Sequence, residues 1–363
     1  MLLSLSVILI SWGATGHSKI SESSSLSFNQ QMEDFHAWIV FLRDHASDPD
    51  YRKDTDPTEG PKHYIDIDNY SEFIANGYIP QTLDSVIAIH GYAFVQDNGF
   101  LPWATETSFD SLRSCLQRHD FAKAKIFAAD LGHYVADGHM PLHITKNYNG
   151  QNTGNTGIHS RYESTMINAH ISEILYTGYD ATEISNVNQY IFDYLYVNYT
   201  YCDSVIMADN YAKSLSTNYS SATYKNALWE KSRSFTIPLF ERASHAFAAL
   251  IYTAWIQAGS PSINLTALQD IQSLSNLTLE QNKPNPFSSS TQINYSLKEN
   301  TKVLMQVRDI NGYTVATLVN DTLPAGNYTL EWKPSNLPAG LYYLVLNTGK
   351  FMQVKKMVYS SEM

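Results

Sequence analysis

Apolar residues recur at three- and four-residue steps from about Phe28 to Trp255. The pattern is clearest in FNQQMEDFHAWIVFLRDH, PQTLDSVIAIHGYAFVQ, SFDSLRSCLQRHDFAKAKIFAADLGHYVAD and ALWEKSRSFTIPLFERASHAFAALIYTAWIQ. This period is that of amphipathic helices. Gly259 and Pro261 come just past the last periodic residue and act as a helix stop. The pattern therefore predicts a mainly α protein whose all-helical domain spans residues 12–258.

Further along the chain the period changes to two. The segments TQINYSL, KVLMQVRD, YTVATLVN, GNYTLEWK and GLYYLVLNT are rich in β-branched and aromatic residues, and turn pairs separate them. We expect a small C-terminal β-sandwich over residues 283–363, joined to the helical domain by a polar linker over residues 259–282. The sandwich contains no histidine or cysteine. A binding, spacer or sorting module is therefore favoured there over a catalytic one.

The chain opens on the apolar run MLLSLSVILI. This run is too short to span a bilayer and polar residues follow it at once, which favours a secretory signal peptide. We expect residues 1–11 to be that peptide, so that Trp12 becomes the first residue of the mature protein. No later stretch is apolar for long enough to predict a transmembrane segment.

Composition narrows the possible functions. The 363 residues carry a net charge of −11 and are 44% hydrophobic, which allows a sizeable core. That charge gives no basic face for duplex nucleic acid, although a local basic groove stays open. Bound cations can neutralise part of the acidic charge. Cys115 and Cys202 allow one disulfide but do not imply it.

Side chains that bind metals are densest in GHYVADGHMPLHITKNYNGQNTGNTGIHSRYES. His133 and Asp137 are four residues apart, as are His159 and Glu163, so each pair shares one helix face. His143 lies between the pairs. One such pair is usually an ordinary solvated helix face, but two pairs with a further histidine favour a metal site. Imidazole and carboxylate without thiolate is the ligand set of hydrolytic zinc sites.

Further candidates lie nearer the N-terminus. Asp48 and His63 are too far apart for one helix, and alone they are typical of a charged surface loop. His17 follows Trp12 by five residues and alone predicts nothing. Together with the cluster above, WGATGH, Asp48, HYID, HYVADGHMPLH and HSRYE resemble the ligand series of one superfamily. It joins zinc-dependent phospholipase C to the single-strand-specific zinc nucleases, and the resemblance covers roughly residues 12–258.

The resemblance implies a secreted phosphodiesterase with three zinc ions. The first ion would be held by Asp48, His63, His133 and Asp137. The second would be held by His143, His159 and Glu163. The third would be held by the α-amino nitrogen and carbonyl oxygen of Trp12, by His17 and by Asp137. Asp48 would also be catalytic, because it would orient or deprotonate the attacking water.

The substrate stays open between phospholipid and single-stranded nucleic acid. Glu163 and the short gap from His143 to His159 resemble the phospholipases, and we lean to that activity. The step from Trp12 to His17 resembles the nucleases. We expect substrate contacts from Tyr64, which can stack on a base, from Arg52, and from Trp103 at the rim of the cleft. Packing is the alternative for Tyr64 and Trp103. Tyr51 replaces the nuclease arginine that follows the aspartate by three residues.

The last segment resembles the sorting domain of the type IX secretion system. NKPNPF opens it, LPAGLYYLVL lies near its end and QVKKMVYS closes it. The resemblance implies a bacterial protein that the type IX machinery exports to the medium or the cell surface. Two other classes stay open. One is a cell-surface binding protein in which metal only stabilises the helical domain, and the other is an adhesin whose sandwich binds carbohydrate.

Overall fold

The computed structural model describes residues 12–263, 277–309, 314–335, 337–348 and 352–360. The predicted signal peptide, residues 1–11, and residues 264–276 of the predicted linker lie outside the described residues. The chain divides into two compact units, with the division near residue 265. The first unit is helical and the second consists of antiparallel sheets, which confirms the predicted fold class.

The first unit is built from α-helices and shorter helical turns. Its α-helices are α1 (Gly13–Ser23), α2 (Ile39–Asp44), α3 (Asp48–Arg52), α4 (Ser71–Asn76), α5 (Leu83–His90), α6 (Tyr92–Asn98), α7 (Leu101–Gln117), α8 (Phe121–Asp137), α9 (Ile158–Ser160), α10 (Ile167–His170), α11 (Val187–Tyr199), α12 (Cys202–Leu215) and α13 (Ala222–Gln257). The 3-10 turns are Ser24–Ser27, Gln30–Trp38, Gly60–His63, Ile67–Asn69, Pro141–His143 and Ile171–Glu173. A π-helical turn, Arg161–Met166, joins α9 to α10.

Helix α8 lies in the core of this unit. The side chain of Asp120 caps its first turn by accepting a hydrogen bond from the backbone of Lys123, at 3.2 Å. Gly132 allows α8 to approach α13, because a Cβ atom there would lie 2.7 Å from the ring of Phe247. The last turn of α8 is almost entirely buried. Any side chain from this turn therefore faces the protein interior rather than solvent.

The second unit contains seven antiparallel strands. They are β1 (Leu277–Leu279), β2 (Thr291–Leu297), β3 (Thr301–Arg308), β4 (Thr314–Leu323), β5 (Gly326–Trp332), β6 (Gly340–Asn347) and β7 (Met352–Tyr359). One sheet has the order β1-β2-β5 and the other β4-β3-β6-β7. Alternate residues of both sheets, such as Ile293 and Val303, share one apolar core. The sheet begins before the predicted boundary at residue 283, because β1 already pairs with β2.

Two further expectations concern the whole chain. Cys115 and Cys202 are both buried free thiols, so no disulfide joins them in the described structure. Within the described ranges, every helix is either too short or too polar to cross a membrane.

Candidate metal centre

Helix α8 supplies two of the predicted ligands from one face. His133 and Asp137 are fully buried, and Nε2 of His133 lies 3.4 Å from Oδ2 of Asp137. The Nδ1–H group of His133 donates to the carbonyl oxygen of Ala46 at 2.7 Å. This hydrogen bond fixes the tautomer, because it leaves the lone pair on Nε2, which faces Asp137.

Helix α1 brings His17 to the same place. The His17 ring stacks on His133 with centroids 4.0 Å apart, and its Nε2 lies 3.5 Å from Oδ1 of Asp137. Trp12, just before α1, is fully buried, and its indole Nε1 donates to the carbonyl of Ala136 at 2.7 Å. The ligand atoms of His17, His133 and Asp137 all lie within 4.8 Å of one another. They form the first ligand group.

A second ligand group contains Asp50, His63 and His133, whose ligand atoms also lie within 4.8 Å of one another. Oδ1 of Asp50 lies 3.6 Å from Nδ1 of His63 and 3.8 Å from Nε2 of His133. Nδ1 of His63 lies 2.9 Å from Nε2 of His133 and 3.0 Å from Oδ2 of Asp137. The first and second groups therefore share His133 and meet at Asp137.

Asp50 stands in this group in place of Asp48, the residue predicted from the sequence as ligand and catalytic group. Oδ2 of Asp48 lies 2.7 Å from Nδ1 of His45 instead. Asp48 and Asp50 are the first and third residues of α3. Side chains two positions apart on a helix project about 200° apart. Only one of the two carboxylates can therefore face His63, and it is Asp50.

The third ligand group joins His143, His159 and Glu163. Nε2 of His159 lies 3.1 Å from Oε2 of Glu163 and 3.2 Å from Nε2 of His143. Each histidine donates its outer Nδ1–H to a backbone carbonyl: His143 to His63 at 2.5 Å, and His159 to Tyr148 at 3.1 Å. Glu163 lies in the π-helical turn that follows α9. The predicted pair and the intervening histidine are thus brought together.

The pKa shifts of Asp137 and His17 suit metal binding. For His133 and His143, by contrast, burial lowers the pKa, but the carboxylates around them, Asp137 foremost, outweigh burial and raise it. Burial raises the pKa of Asp137, but the charges of His133 and His143 outweigh burial and hold it well below its usual range. Burial, assisted by the charge of His133, lowers the pKa of His17 to about 3. Near neutral pH Asp137 is ionised and His17 is neutral. These are the forms in which carboxylates and imidazoles bind metals.

Two cations adjoin the second ligand group. Nζ of Lys53 lies 2.7 Å from Oδ1 of Asp50. Arg52, predicted to contact substrate, instead contacts Oδ1 of Asp130 at 2.9 Å and Oε1 of Glu59 at 3.4 Å. Sequence reasoning missed Lys53 because it measured the three-residue step from Asp48, which leads to Tyr51. Measured from Asp50, the same step leads to Lys53.

The two predicted aromatic contacts differ in exposure. Tyr64 is partly buried directly after His63, and its hydroxyl donates to the carbonyl of Asp97 at 3.4 Å. Trp103 is only 5% exposed. Its Nε1 donates to the carbonyl of Gln81 at 2.7 Å, and its ring packs on Phe192. The structure corrects its placement at the rim, because α7 turns this residue into the core.

The three groups fit a metal by donor chemistry and by hydrogen bonding. Every donor is an imidazole nitrogen or a carboxylate oxygen, as in hydrolytic zinc sites. Oδ2 of Asp50 and Oε2 of Glu163 are buried and accept no hydrogen bond from any described residue. Buried carboxylate oxygens are normally satisfied. A cation within these groups would satisfy them.

Comparisons with known proteins bear on the C-terminal unit. Residues 284–360 match the family model of the secretion system C-terminal sorting domain. This match confirms the predicted type IX sorting domain. The chain is therefore a secreted or cell-surface bacterial protein whose export involves the type IX machinery.

For the chain as a whole, the comparisons are distant. No curated protein matches it. Among solved structures, alpha toxin from Clostridium absonum has 10% identity and a TM-score of 0.43, covering 96% of this chain and 97% of its own. Clostridium perfringens alpha-toxin from avian strain SWCP has 10% identity and a TM-score of 0.43, covering 94% and 97%. Likenesses at this level carry no argument about activity.

Proposed function

We propose that this protein is a secreted zinc-dependent phosphodiesterase of the phospholipase C and zinc nuclease superfamily. One observation carries the proposal: three buried ligand groups adjoin one another, two sharing His133 and all meeting near Asp137. A purely structural zinc site is closed by four protein ligands. Here the third group offers three, which leaves room for water or substrate.

The ligands would divide among three zinc ions as the resemblance implies, with Asp50 in place of Asp48. The first ion would take the second ligand group, Asp50, His63 and His133, together with Asp137. The second ion would take the third ligand group, His143, His159 and Glu163. The third ion would take His17 and Asp137 of the first ligand group, together with the Trp12 main chain. When bound, zinc lowers the pKa of water and neutralises charge on a phosphate group.

The protein's own residues would orient the reaction. Oδ2 of Asp50 is buried without a hydrogen-bond donor among the described residues, so it can accept a proton or hydrogen bond from the attacking water. Lys53 carries its charge to the same carboxylate, at 2.7 Å. An ammonium group at this position can bind a phosphate oxygen of the substrate. Asp50 is thus the proposed general base and Lys53 the proposed phosphate contact.

A phospholipid is the substrate class that the segment beginning at Tyr64 favours. Residues 64–112 contain no lysine or arginine. Within them, Ile74, Tyr78, Ile89 and Tyr92 are each more than half exposed. The backbone of this segment is bonded to Tyr64, whose carbonyl accepts from Leu101 at 3.2 Å. An apolar surface without basic groups suits a zwitterionic lipid better than a polyanion.

A single-stranded nucleic acid is the second candidate. The partly exposed Tyr64 directly after His63 favours it, because bases stack on tyrosine rings. We expect protein beginning at Trp12 to contain close to three zinc ions and to hydrolyse bis-p-nitrophenyl phosphate. Phosphatidylcholine vesicles and denatured DNA then separate the two substrates.

The matched controls are two histidine variants. His143→Ala removes a ligand of the third group and should abolish hydrolysis. His36→Ala removes an exposed histidine outside the centre and should leave it unchanged. A wild-type protein that binds zinc but cleaves no phosphodiester would instead support a metal-stabilised binding protein.

A further inference from the structure

The histidines of the centre differ in how their outer ring nitrogens are held. His133, His143 and His159 each donate Nδ1–H to a backbone carbonyl and direct Nε2 inward. His63 is reversed. Its Nδ1 lies 2.9 Å from Nε2 of His133 and 3.0 Å from Oδ2 of Asp137, while its Nε2 makes no hydrogen bond with a described residue and lies 3.5 Å from Oε1 of Glu59. A side-chain carboxylate therefore stands where the other three rings have a main-chain oxygen.

Glu59 is itself held in place. It is 1% exposed, and its Oε1 accepts a short hydrogen bond from the hydroxyl of Tyr134 and a longer one from Arg52, at 3.4 Å. Its Oε2 accepts from Nζ of Lys62 at 2.8 Å. Three donors, from Tyr134, Arg52 and Lys62, thus hold the buried Glu59 side chain in place.

We propose that Glu59 is a positioning residue that fixes His63 as the tautomer with its proton on Nε2. The proposal rests on the zinc centre of the proposed function. Glu59 directly precedes the 3-10 turn Gly60–His63, and the turn brings its Oε1 within 3.5 Å of Nε2 of His63. With the proton on Nε2, the lone pair of Nδ1 is available to a metal bound beside Asp50. Arg52 serves the centre by anchoring Glu59.

The physical reason is that an imidazole has two neutral tautomers and two ring orientations. A carboxylate at Nε2 selects one tautomer and one orientation, and it makes the ring a stronger ligand. Without Glu59, the proton of His63 can move to Nδ1, where it blocks metal binding. Loss of such an outer partner commonly weakens metal affinity by about 10- to 100-fold.

Two variants of Glu59 test this role in the full chain. Glu59→Ala removes the acceptor, and Glu59→Gln keeps an oxygen that can accept from Nε2–H without the charge. Zinc content is measured by plasma mass spectrometry, and zinc retention by titration with a competing chelator. Nitrogen-15 NMR of the zinc-loaded proteins reports which nitrogen of His63 carries the proton. We expect Glu59→Ala to lose one zinc ion or bind it about 10- to 100-fold more weakly, with Glu59→Gln intermediate.

Glu72 provides the matched control, because its Oε1 lies 3.0 Å from Nε2 of His90 in a carboxylate–histidine pair outside the ligand groups. Glu72→Ala should leave zinc retention unchanged. Equal zinc retention in wild type and both Glu59 variants, or a wild-type His63 that carries its proton on Nδ1, would overturn the proposal. If Glu59→Ala does not fold, Glu59→Gln decides. A wild-type protein without zinc would sink the proposed function instead, so the two failures are distinguishable.

Discussion

The carboxylates of Asp48 and Asp50 lie two residues apart on α3 but contact different partners. We predict that Asp50→Asn loses zinc and slows phosphodiester hydrolysis by about 100-fold or more, equal to about 2.7 kcal/mol of lost transition-state stabilisation. The reason is that an amide replaces the charged oxygens that face His63 and His133. Zinc content and the initial rate on bis-p-nitrophenyl phosphate measure both effects.

Asp48→Asn is the control for this prediction. It makes the same chemical change on the neighbouring helix face, where the partner is His45. We expect its zinc content to equal that of wild type and its rate to stay within about threefold, equal to about 0.7 kcal/mol. If Asp48→Asn were the inactive variant and Asp50→Asn the active one, Asp48 rather than Asp50 would be the ligand and general base, as the sequence predicts.

The pair of His45 and Asp48 predicts a pH dependence of stability. Burial lowers the pKa of His45, but the hydrogen bond and charge of Asp48 outweigh burial and raise it above its ordinary value of 6.5. A raised histidine pKa stabilises the fold fully below the unfolded pKa, and this contribution is lost as pH rises through the folded pKa. The Asp48→Asn variant should therefore lose more stability at pH 6 than at pH 8.5.

Urea unfolding of wild type and Asp48→Asn at the two pH values checks this. The difference in the free energy of unfolding should be about 1 kcal/mol or less at pH 6, as for most partly exposed pairs, and smaller at pH 8.5. A difference that grows with pH would show that His45 is not the titrating group.

At the residue scale, the sequence predicts which side chains meet where spacing and helix period agree. His133 with Asp137, and His159 with Glu163, each lie together because four residues make about one helical turn. Sequence spacing does not decide whether Asp48 or Asp50 faces the ligand groups. It depends on the direction in which a five-residue helix enters the site, and both residues are aspartates beside one proline. The burial of Trp103 likewise follows from the packing of α7 on Phe192, which the sequence does not reveal.

At the element scale, two glycines flank α6 with nearly the same backbone conformation. Gly91 has φ 82° and ψ 152°, and Gly99 has φ 91° and ψ 160°. A Cβ at Gly99 would lie 2.0 Å from the carbonyl oxygen of Tyr64, whereas a Cβ at Gly91 meets no described atom within 4 Å. Both sites carry the strain of a positive φ, but only Gly99 also makes a close backbone contact next to His63.

We predict that Gly91→Ala costs about 1–3 kcal/mol of unfolding free energy, the strain of a positive-φ extended backbone that is essentially restricted to glycine. Gly99→Ala should cost clearly more, and it should also lower zinc retention, because relieving the contact displaces Tyr64 and the adjacent His63. Urea unfolding and chelator titration of both variants measure these effects. Equal losses of stability with unchanged zinc retention would mean that the turn before α7 does not position His63.

Element boundaries show what periodicity does and does not specify. The apolar repeat of ALWEKSRSFTIPLFERASHAFAALIYTAWIQ predicts one long helix, and α13 is continuous despite Pro238. The same repeat in PQTLDSVIAIHGYAFVQ divides into α5 and α6 at Gly91. The π-helical turn that carries Glu163 has no sequence signal, since its apolar spacing is that of an ordinary helix. Local patterns thus predict element type, while tertiary packing sets where each element ends.

At the scale of the whole molecule, we expect the two units to depend on metal to different degrees. The ligand groups are buried in the helical unit, and the second unit contains neither histidine nor cysteine. Metal that binds only the folded state stabilises it by mass action, by about 4 kcal/mol per site when free metal is a thousand times the dissociation constant. Removal of bound metal would also take positive charge away from the carboxylates of Asp50, Asp137 and Glu163.

We therefore predict that chelation lowers the unfolding temperature of the helical unit and leaves that of the sheet unit unchanged. Scanning calorimetry of the full chain, with and without chelator at constant pH, measures both transitions. His143→Ala serves as the control, because a protein lacking a ligand should respond less to the chelator. Equal shifts of both transitions would mean that metal is not confined to the helical unit. No shift in either would mean that the ligand groups hold no metal in the native protein.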